Sequence, residues 1–226
     1  MEENKNIDFV ILNFSFEMTS SRQVGRKLSY KLGKTTSELY SGSGEYINEE
    51  DFKEVKKYSE EIKKHPIYYV DIPGNVQQIR NTIIHFMKNE GKNKWVIIIL
   101  DHTLLTKGKT GESERETLAK LQYMFMELKK YGKNTIIQLS QLNRDIESVD
   151  RIANHSMHYP MRKDLLGGDS IFQTSDYVLV IHRPETLGIE SYGLHHLPTE
   201  DMVYLHFLKN REGKLGILTF KNDLKY

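Results

Sequence analysis

Three polar residues close apolar runs in this chain, and their side chains suit phosphate chemistry. Glu17 ends Asn-Phe-Ser-Phe-Glu, Asp101 ends Val-Ile-Ile-Ile-Leu-Asp, and Gln141 ends Ile-Ile-Gln-Leu-Ser-Gln. In open α/β sheets ligand chemistry collects at the carboxyl ends of strands, where residues of this kind would meet. Two acids and an amide there would serve metal coordination, water activation and phosphate sensing. A lone carboxylate after a strand is ordinarily a helix cap or a solvated loop residue. The ordered set of three is a sharper signal than any one of them. The nine histidines invite a metal-site reading, with His155-x-x-His158 and His195-His196 nearest to ligand spacing. Neither pair has a third ligand of fixed geometry, so they read as scattered surface or half-buried residues.

Such residues need elements to position them. Phe9–Phe16, Ile67–Ile72, Trp95–Leu100, Thr135–Leu139 and Tyr177–Ile181 are short, nearly continuous apolar runs. Their uniformity reads as strands buried on both faces, the habit of parallel sheets. Helical patterns alternate with them. Ser20–Leu32 follows Thr19 as an N-cap and stops before Gly33; Asn48 caps Glu49–Lys64; Val76, Ile79, Ile83 and Met87 share one face after Pro73-Gly74-Asn75. Ser113-x-x-Glu116 has capping-box spacing and opens a helix that closes near Tyr131-Gly132. Within it Met124-Phe-Met126 reads as core, because Leu121 and Leu128 keep helical spacing. Lys56-Lys57 and Lys63-Lys64 read as a solvated helix face. This alternation predicts an α/β layered domain with helices on both faces of a mostly parallel sheet. Met202–Leu208 and Leu215–Phe220 predict a terminal antiparallel hairpin with Gly213 in its turn. Ser37–Asn48, Thr103–Gly111 and Ile146–Ser170 read as loops, the last long enough for a function.

Composition narrows the classes. The 226 residues, with 38% hydrophobic, 28% charged and five prolines, describe a folding chain rather than a disordered one. Thirty-two Lys plus Arg against 31 Asp plus Glu give a formal charge of +1. No global basic field points to nucleic acid, so any such contact is a local patch. The absence of cysteine removes disulfides, thiolate catalysis and cysteine zinc sites. The longest strongly apolar run, Trp95–Leu100, is far short of the roughly 20 residues that span a bilayer. We expect no membrane contact and a cytoplasmic setting.

From about Asp8 to its last residue the chain resembles the motor domain of DnaB-type replicative helicases, hexameric RecA-like ATPases. Phe14-Ser-Phe-Glu-Met18 resembles the segment with the catalytic glutamate, and Ile97-Ile-Ile-Leu-Asp101 the Walker B strand. Leu139-Ser-Gln-Leu-Asn-Arg144 is similar to the sensor motif; Glu50-Asp-Phe through Ile79-Arg80 also fits. Pro160-Met-Arg-Lys-Asp-Leu165, Ile171-Phe-Gln and Asp176-Tyr-Val-Leu-Val180 resemble a DNA-contacting loop and the strand after it. Lys209-Asn-Arg211 resembles the basic pair that the family inserts into a neighbouring subunit's nucleotide site.

The resemblance implies a RecA-like three-layer α/β/α fold over residues 1–226 as one domain, with ATP and Mg²⁺ as cofactors. Its partners would be single-stranded DNA and a homo-oligomer, a hexamer, or a chain supplying the Walker A unit. Glu17 would orient or deprotonate the water that attacks the γ-phosphate, Asp101 would hold Mg²⁺, and Gln141 would report the terminal phosphate. Lys209 and Arg211, two apart, would share a face if the strand continues through them and act as an arginine finger with a lysine companion. Arg144, Arg151, Arg162 and Lys163 would supply charge to DNA, and Gly167 and Gly168 would open backbone amides to its phosphates. Two positions depart from the family: Leu166 stands where arginine is common, and Asp169 where glycine is usual. The family's first strand, its G-x-x-x-x-G-K-[ST] loop and the following helix have no counterpart in these residues; Gly108-Lys-Thr110 lacks a glycine five residues before it. Because that strand lies inside the family's sheet, a gap in the sheet is expected. A fragment, a split protein and an inactive relic remain open as explanations. So does the rival function, a non-hydrolysing RecA-like subunit that binds partners or single strands. A recombinase or clock-type ATPase fits the Leu-Ser-Gln-Leu-Asn-Arg run and the Lys-x-Arg hairpin less well.

Overall fold

β1 (Phe9–Ser15) is the organising strand, and its sequence explains why: Val10, Leu12, Asn13, Phe14 and Ser15 are all buried, so it has no polar face to give to water. In the computed structural model, which describes residues 6–41, 46–154 and 157–223, it lies inside a four-stranded parallel sheet of order β2-β1-β3-β4. Its companions are β2 (Ile67–Val70), β3 (Trp95–Asp101) and β4 (Asn134–Gln138). α1 (Ser20–Leu32), α2 (Thr36–Tyr40) and α3 (Glu49–Ile62) follow β1; α4 (Val76–Lys88) and α5 (Glu114–Leu128) are the later crossovers. Helices lie on both sides of the sheet. Val10, Leu12 and Phe14 of β1 and Val96, Ile98 and Leu100 of β3 form one core with Ile79, Ile83 and Phe86 of α4 and Leu121, Met124, Phe125 and Leu128 of α5.

The local signals for the helices hold. Asn48, Asn75 and Ser113 each accept the N–H bonds of a capping box at the starts of α3, α4 and α5. Thr19 makes no side-chain cap at α1. The amide of Ser20 instead donates to Asp71, just past β2, at 3.2 Å. Met126 is the second correction: Met124 and Phe125 enter the core, but Met126 is exposed on the far side of α5.

The chain separates into two compact units, one built from the residues up to Leu139 and the other from Ser140–Asp223. The second unit holds α6 (Val149–Ile152), α7 (Gly168–Thr174) and a three-stranded antiparallel sheet, β5-β6-β7. Here β5 is Tyr177–His182, β6 is Met202–Asn210 and β7 is Gly216–Lys221. The expected hairpin is β6–β7, with Gly213 between the strands. The apolar run of β5 is not the doubly buried parallel strand its composition suggests. It pairs antiparallel with β6, burying Val178, Val180 and His182 and exposing Tyr177, Leu179 and Ile181. β4 likewise alternates, with Ile137 exposed. Among the described residues, β4 and β5 are each the outermost strand of their own sheet. No described helix is long and apolar enough to cross a membrane.

The second unit is stabilised by a buried aromatic and histidine cluster. The Tyr192 hydroxyl lies 2.8 Å from His182 Nδ1 and 2.7 Å from His206 Nε2, and its ring meets Tyr159 and Tyr204. Burial holds His182 and His206 down at about 4, with the His206 charge adding to the effect on His182, and pushes Tyr192 up. Because the folded state lowers these histidines from 6.5, their contribution is fully present above that value and is lost as pH falls from there toward about 4. Thermal unfolding should therefore show stability declining through that window, by roughly 1–2 kcal/mol per histidine. A His182→Gln/His206→Gln chain should decline less steeply, and equal slopes would contradict the assignment.

Candidate functional site

Parallel pairing of β1 with β3 sets the geometry of the first unit's rim. Ser15 is opposite Asp101, and the Phe16 amide donates to the Asp101 carbonyl at 2.8 Å, so Glu17 emerges beside Asp101. The turn that carries Glu17 is tied down by Ser15, whose hydroxyl donates to the Met18 carbonyl at 2.6 Å and accepts from Gln23 at 2.9 Å. Glu17 is exposed, with Oε2 at 3.8 Å from His102 Nε2. Asp101 is half-buried, and its carboxyl is held above the usual range first by burial and then by the Glu17 charge, against the pull of His102 and Arg26. Two sequence-predicted acids thus share one rim and feel each other. On the β4 side, the Leu139 amide donates to the Leu100 carbonyl and the Thr103 amide to the Leu139 carbonyl, joining the exits of β3 and β4.

A magnesium ion fits this rim better than a closed metal cage does. The crowding of Glu17 against a half-buried Asp101 is what a cation would relieve, and Mg²⁺ typically uses one or two carboxylates together with substrate phosphates. Asn13 Oδ1 on β1 and His102 Nδ1 beyond β3 are buried without a hydrogen-bond partner, leaving polar capacity for a ligand or water. Among the described residues no three His, Cys, Asp or Glu side chains gather as a metal site. Of the histidine pairs, His155 lies outside the described residues, His158 is buried with Nε2 2.9 Å from the Ile152 carbonyl, and His196 meets Ser191 at 3.0 Å. Gly108-Lys-Thr110 lies in the loop before α5, with the Lys109 amide donating to Glu112 at 2.9 Å.

The second unit laces the segment after Gln141 to the loop expected to contact DNA. The Leu166 amide donates to the Gln141 carbonyl at 3.1 Å, Leu142 pairs with Leu165, and the Asn143 amide donates to the Asp164 carbonyl at 2.7 Å. The Asn143 side chain adds a bond to the Lys163 carbonyl at 2.6 Å. Gln141, Arg144 and Lys163 are exposed. Gly167 takes φ 72°, which favours glycine, and Gly168 begins α7. Arg162 is 47% exposed, 2.7 Å from Asp169 and 4.7 Å from the Phe172 ring centre.

Arg151 is corrected by its surroundings. Only 3% exposed, it pairs with the fully buried Asp164 at 2.5 Å and donates to the Met157 and Tyr159 carbonyls at 2.9 and 3.1 Å. Its guanidinium holds the loop together and has no face left for DNA.

Lys209 lies in β6, while Arg211 follows the strand's end. Lys209 donates to the Phe172 carbonyl at 2.6 Å and the Gln173 carbonyl at 3.2 Å, at the end of α7. Arg211 pairs with Asp176 at 2.6 Å. Phe172, Asp176 and Arg26 are the contributors that the sequence reading left without a role. Phe172 and Asp176 stand in segments that match the family, which was the available signal.

The whole chain, residues 1–226, matches the family model described as the DnaB-like helicase C terminal domain. The chain belongs to this family. The replicative DNA helicase DnaB of Mycobacterium leprae is 27% identical over 213 residues, which is 93% of this chain and 32% of that protein. That of Buchnera aphidicola subsp. Baizongia pistaciae is 25% identical over 92% of this chain and 42% of its own length. The chain therefore spans less than half of these relatives. Among solved structures, an ATPase domain superposes with a TM-score of 0.79 at 19% identity, covering 96% of this chain and 72% of that one. A DnaB-like replicative helicase studied with its interactions with primase superposes equally well, with 50% of its chain covered. These likenesses agree with the RecA-like fold expected of a DnaB-like motor domain.

The buried Arg151–Asp164 pair makes a measurable claim. Arg151→Met leaves the Asp164 carboxylate buried without its cation, which should destabilise the chain by about 3 kcal/mol or more in urea unfolding. A loss below about 1 kcal/mol would contradict the burial of this pair.

Proposed function

We propose that this chain is part of an ATP-dependent, DnaB-like replicative DNA helicase that couples nucleotide hydrolysis at subunit interfaces to single-stranded DNA translocation and duplex unwinding in the cytoplasm. The observation that carries the reading is the β1–β3 register, which puts Glu17 beside Asp101 at the carboxyl end of a parallel sheet. Glu17, exposed and anchored by its turn, orients or deprotonates the attacking water, while Asp101 takes the metal side of the rim. Mg²⁺ held by Asp101 would supply charge neutralisation on the phosphates. Gln141 reads the terminal phosphate, and its bonded neighbours pass that state to residues 162–168. Arg144, Arg162, Lys163 and the Gly167-Gly168 backbone meet the DNA phosphates. Lys209 and Arg211 act on the nucleotide of a neighbouring subunit in a hexamer, which requires phosphate to draw them from α7 and Asp176.

The 226 residues contain no G-x-x-x-x-G-K-[ST] run. In this reading a Walker A strand, loop and helix completes the nucleotide site, and β4, the outermost strand of its sheet among the described residues, offers a place for a further strand to pair. Phosphate-release assays test this. The chain alone should hydrolyse ATP negligibly, and a separately made strand-loop-helix segment should restore hydrolysis, with Glu17→Gln then lowering it by about 100-fold or more. Robust hydrolysis by the chain alone would overturn the requirement. Nucleotide-independent single-strand binding without restored hydrolysis would favour the non-hydrolysing alternative.

A further inference from the structure

Arg162, read above as a DNA contact, is already paired with a carboxylate. Its Nη2 lies 2.7 Å from Asp169 Oδ1, and both side chains are open to solvent, at 47% and 76% exposure. An exposed pair of this kind is weak and exchangeable, because water screens it and two mobile side chains must be ordered to form it. The Phe172 ring, 4.7 Å from the guanidinium carbon, supports Arg162 independently of the aspartate. Asp169 also lies in the first turn of α7, immediately after the Gly167-Gly168 step, so any strand reaching those amides passes a fixed negative charge. By contrast, the buried Asp164 in the same loop is consumed by Arg151 and the Met161 amide. Asp169 makes no such buried contact; beyond its pair with Arg162, its position in the first turn of α7 favours the helix N-terminus.

The geometry points to Asp169 as an affinity-setting residue: its carboxylate occupies Arg162 in the unliganded chain, and DNA must displace it, which weakens the grip on single strands. The inference rests on the reading of Arg162 as a DNA contact and adds to it a residue that the chain itself uses to lower affinity. A backbone phosphodiester can displace the carboxylate because it offers the guanidinium an equivalent single charge and pair of oxygens, while the exposed pair it replaces is weak. Neutralising Asp169 frees Arg162 and removes repulsion of the backbone, so binding must tighten, most of all at low salt where screening is least.

Fluorescence anisotropy with a labelled oligothymidine tests this on the full chain at two salt concentrations. Asp169→Asn should tighten binding roughly three- to tenfold at low salt, with the gain shrinking as salt rises. Arg162→Gln should weaken binding, and Asp169→Asn added to Arg162→Gln should recover much less than it gains alone, a non-additivity that a general change of surface charge does not produce. Equal effects of Asp169→Asn with and without Arg162, or no tightening, would overturn the inference while leaving DNA binding intact. Failure of both the native chain and the Asp169→Asn chain to bind oligothymidine would remove the DNA-contact reading itself, and the inference with it. Unchanged thermal unfolding of the exposed-site variants checks that folding is preserved.

Discussion

The parallel register of β1 and β3 is the constraint on which the candidate site depends. Seven consecutive residue pairs, from Phe9 with Trp95 to Ser15 with Asp101, leave no freedom in where the two strands end. A slip of one residue would turn Leu12, Phe14, Ile98 and Leu100 out of the core, so burial of these side chains fixes the rim as firmly as any hydrogen bond there. Placing two carboxylates at such a rim is unfavourable, as the raised Asp101 shows. Unfavourable placements of this sort collect where a ligand can relieve them.

In the second unit the corresponding constraint is the buried ion pair. Arg151 and Asp164 are 13 residues apart, and their contact closes the loop that the segment after Gln141 then pairs with. Leu142 and Phe172 pack with Leu165, Val178 and Leu208, so the loop, α7 and two strands share one small apolar cluster. Residues 141–143 are joined to residues 163–166 mainly through backbone bonds, with the Asn143 side chain adding one more.

Much of this was legible in the sequence, for local reasons. Capping residues and helical periodicity placed α3, α4 and α5, and the apolar runs placed the strands, because these signals act within a few residues. Glu17 and Asp101 were legible because strand ends are where α/β sheets hold their chemistry. The direction of β5 was not, since a run of Tyr, Val, Leu and Ile fits a doubly buried strand as well as one with alternate residues exposed. Arg151 looked like a DNA contact because its sequence neighbourhood is basic and polar; only the fold brings Asp164 to it. Asp169 looked like a departure from a family pattern, and its meaning appears only with Arg162 beside it.

The electrostatic coupling of Glu17 to Asp101 is the most direct test of the account. A carbon-detected NMR titration of the Asp101 carboxyl should find its pKa above the ordinary aspartate value, and Glu17→Gln should move it back toward that value while leaving part of the shift, which burial causes. An Asp101 pKa at the ordinary value, or one unaffected by Glu17→Gln, would mean that the two acids do not share a rim.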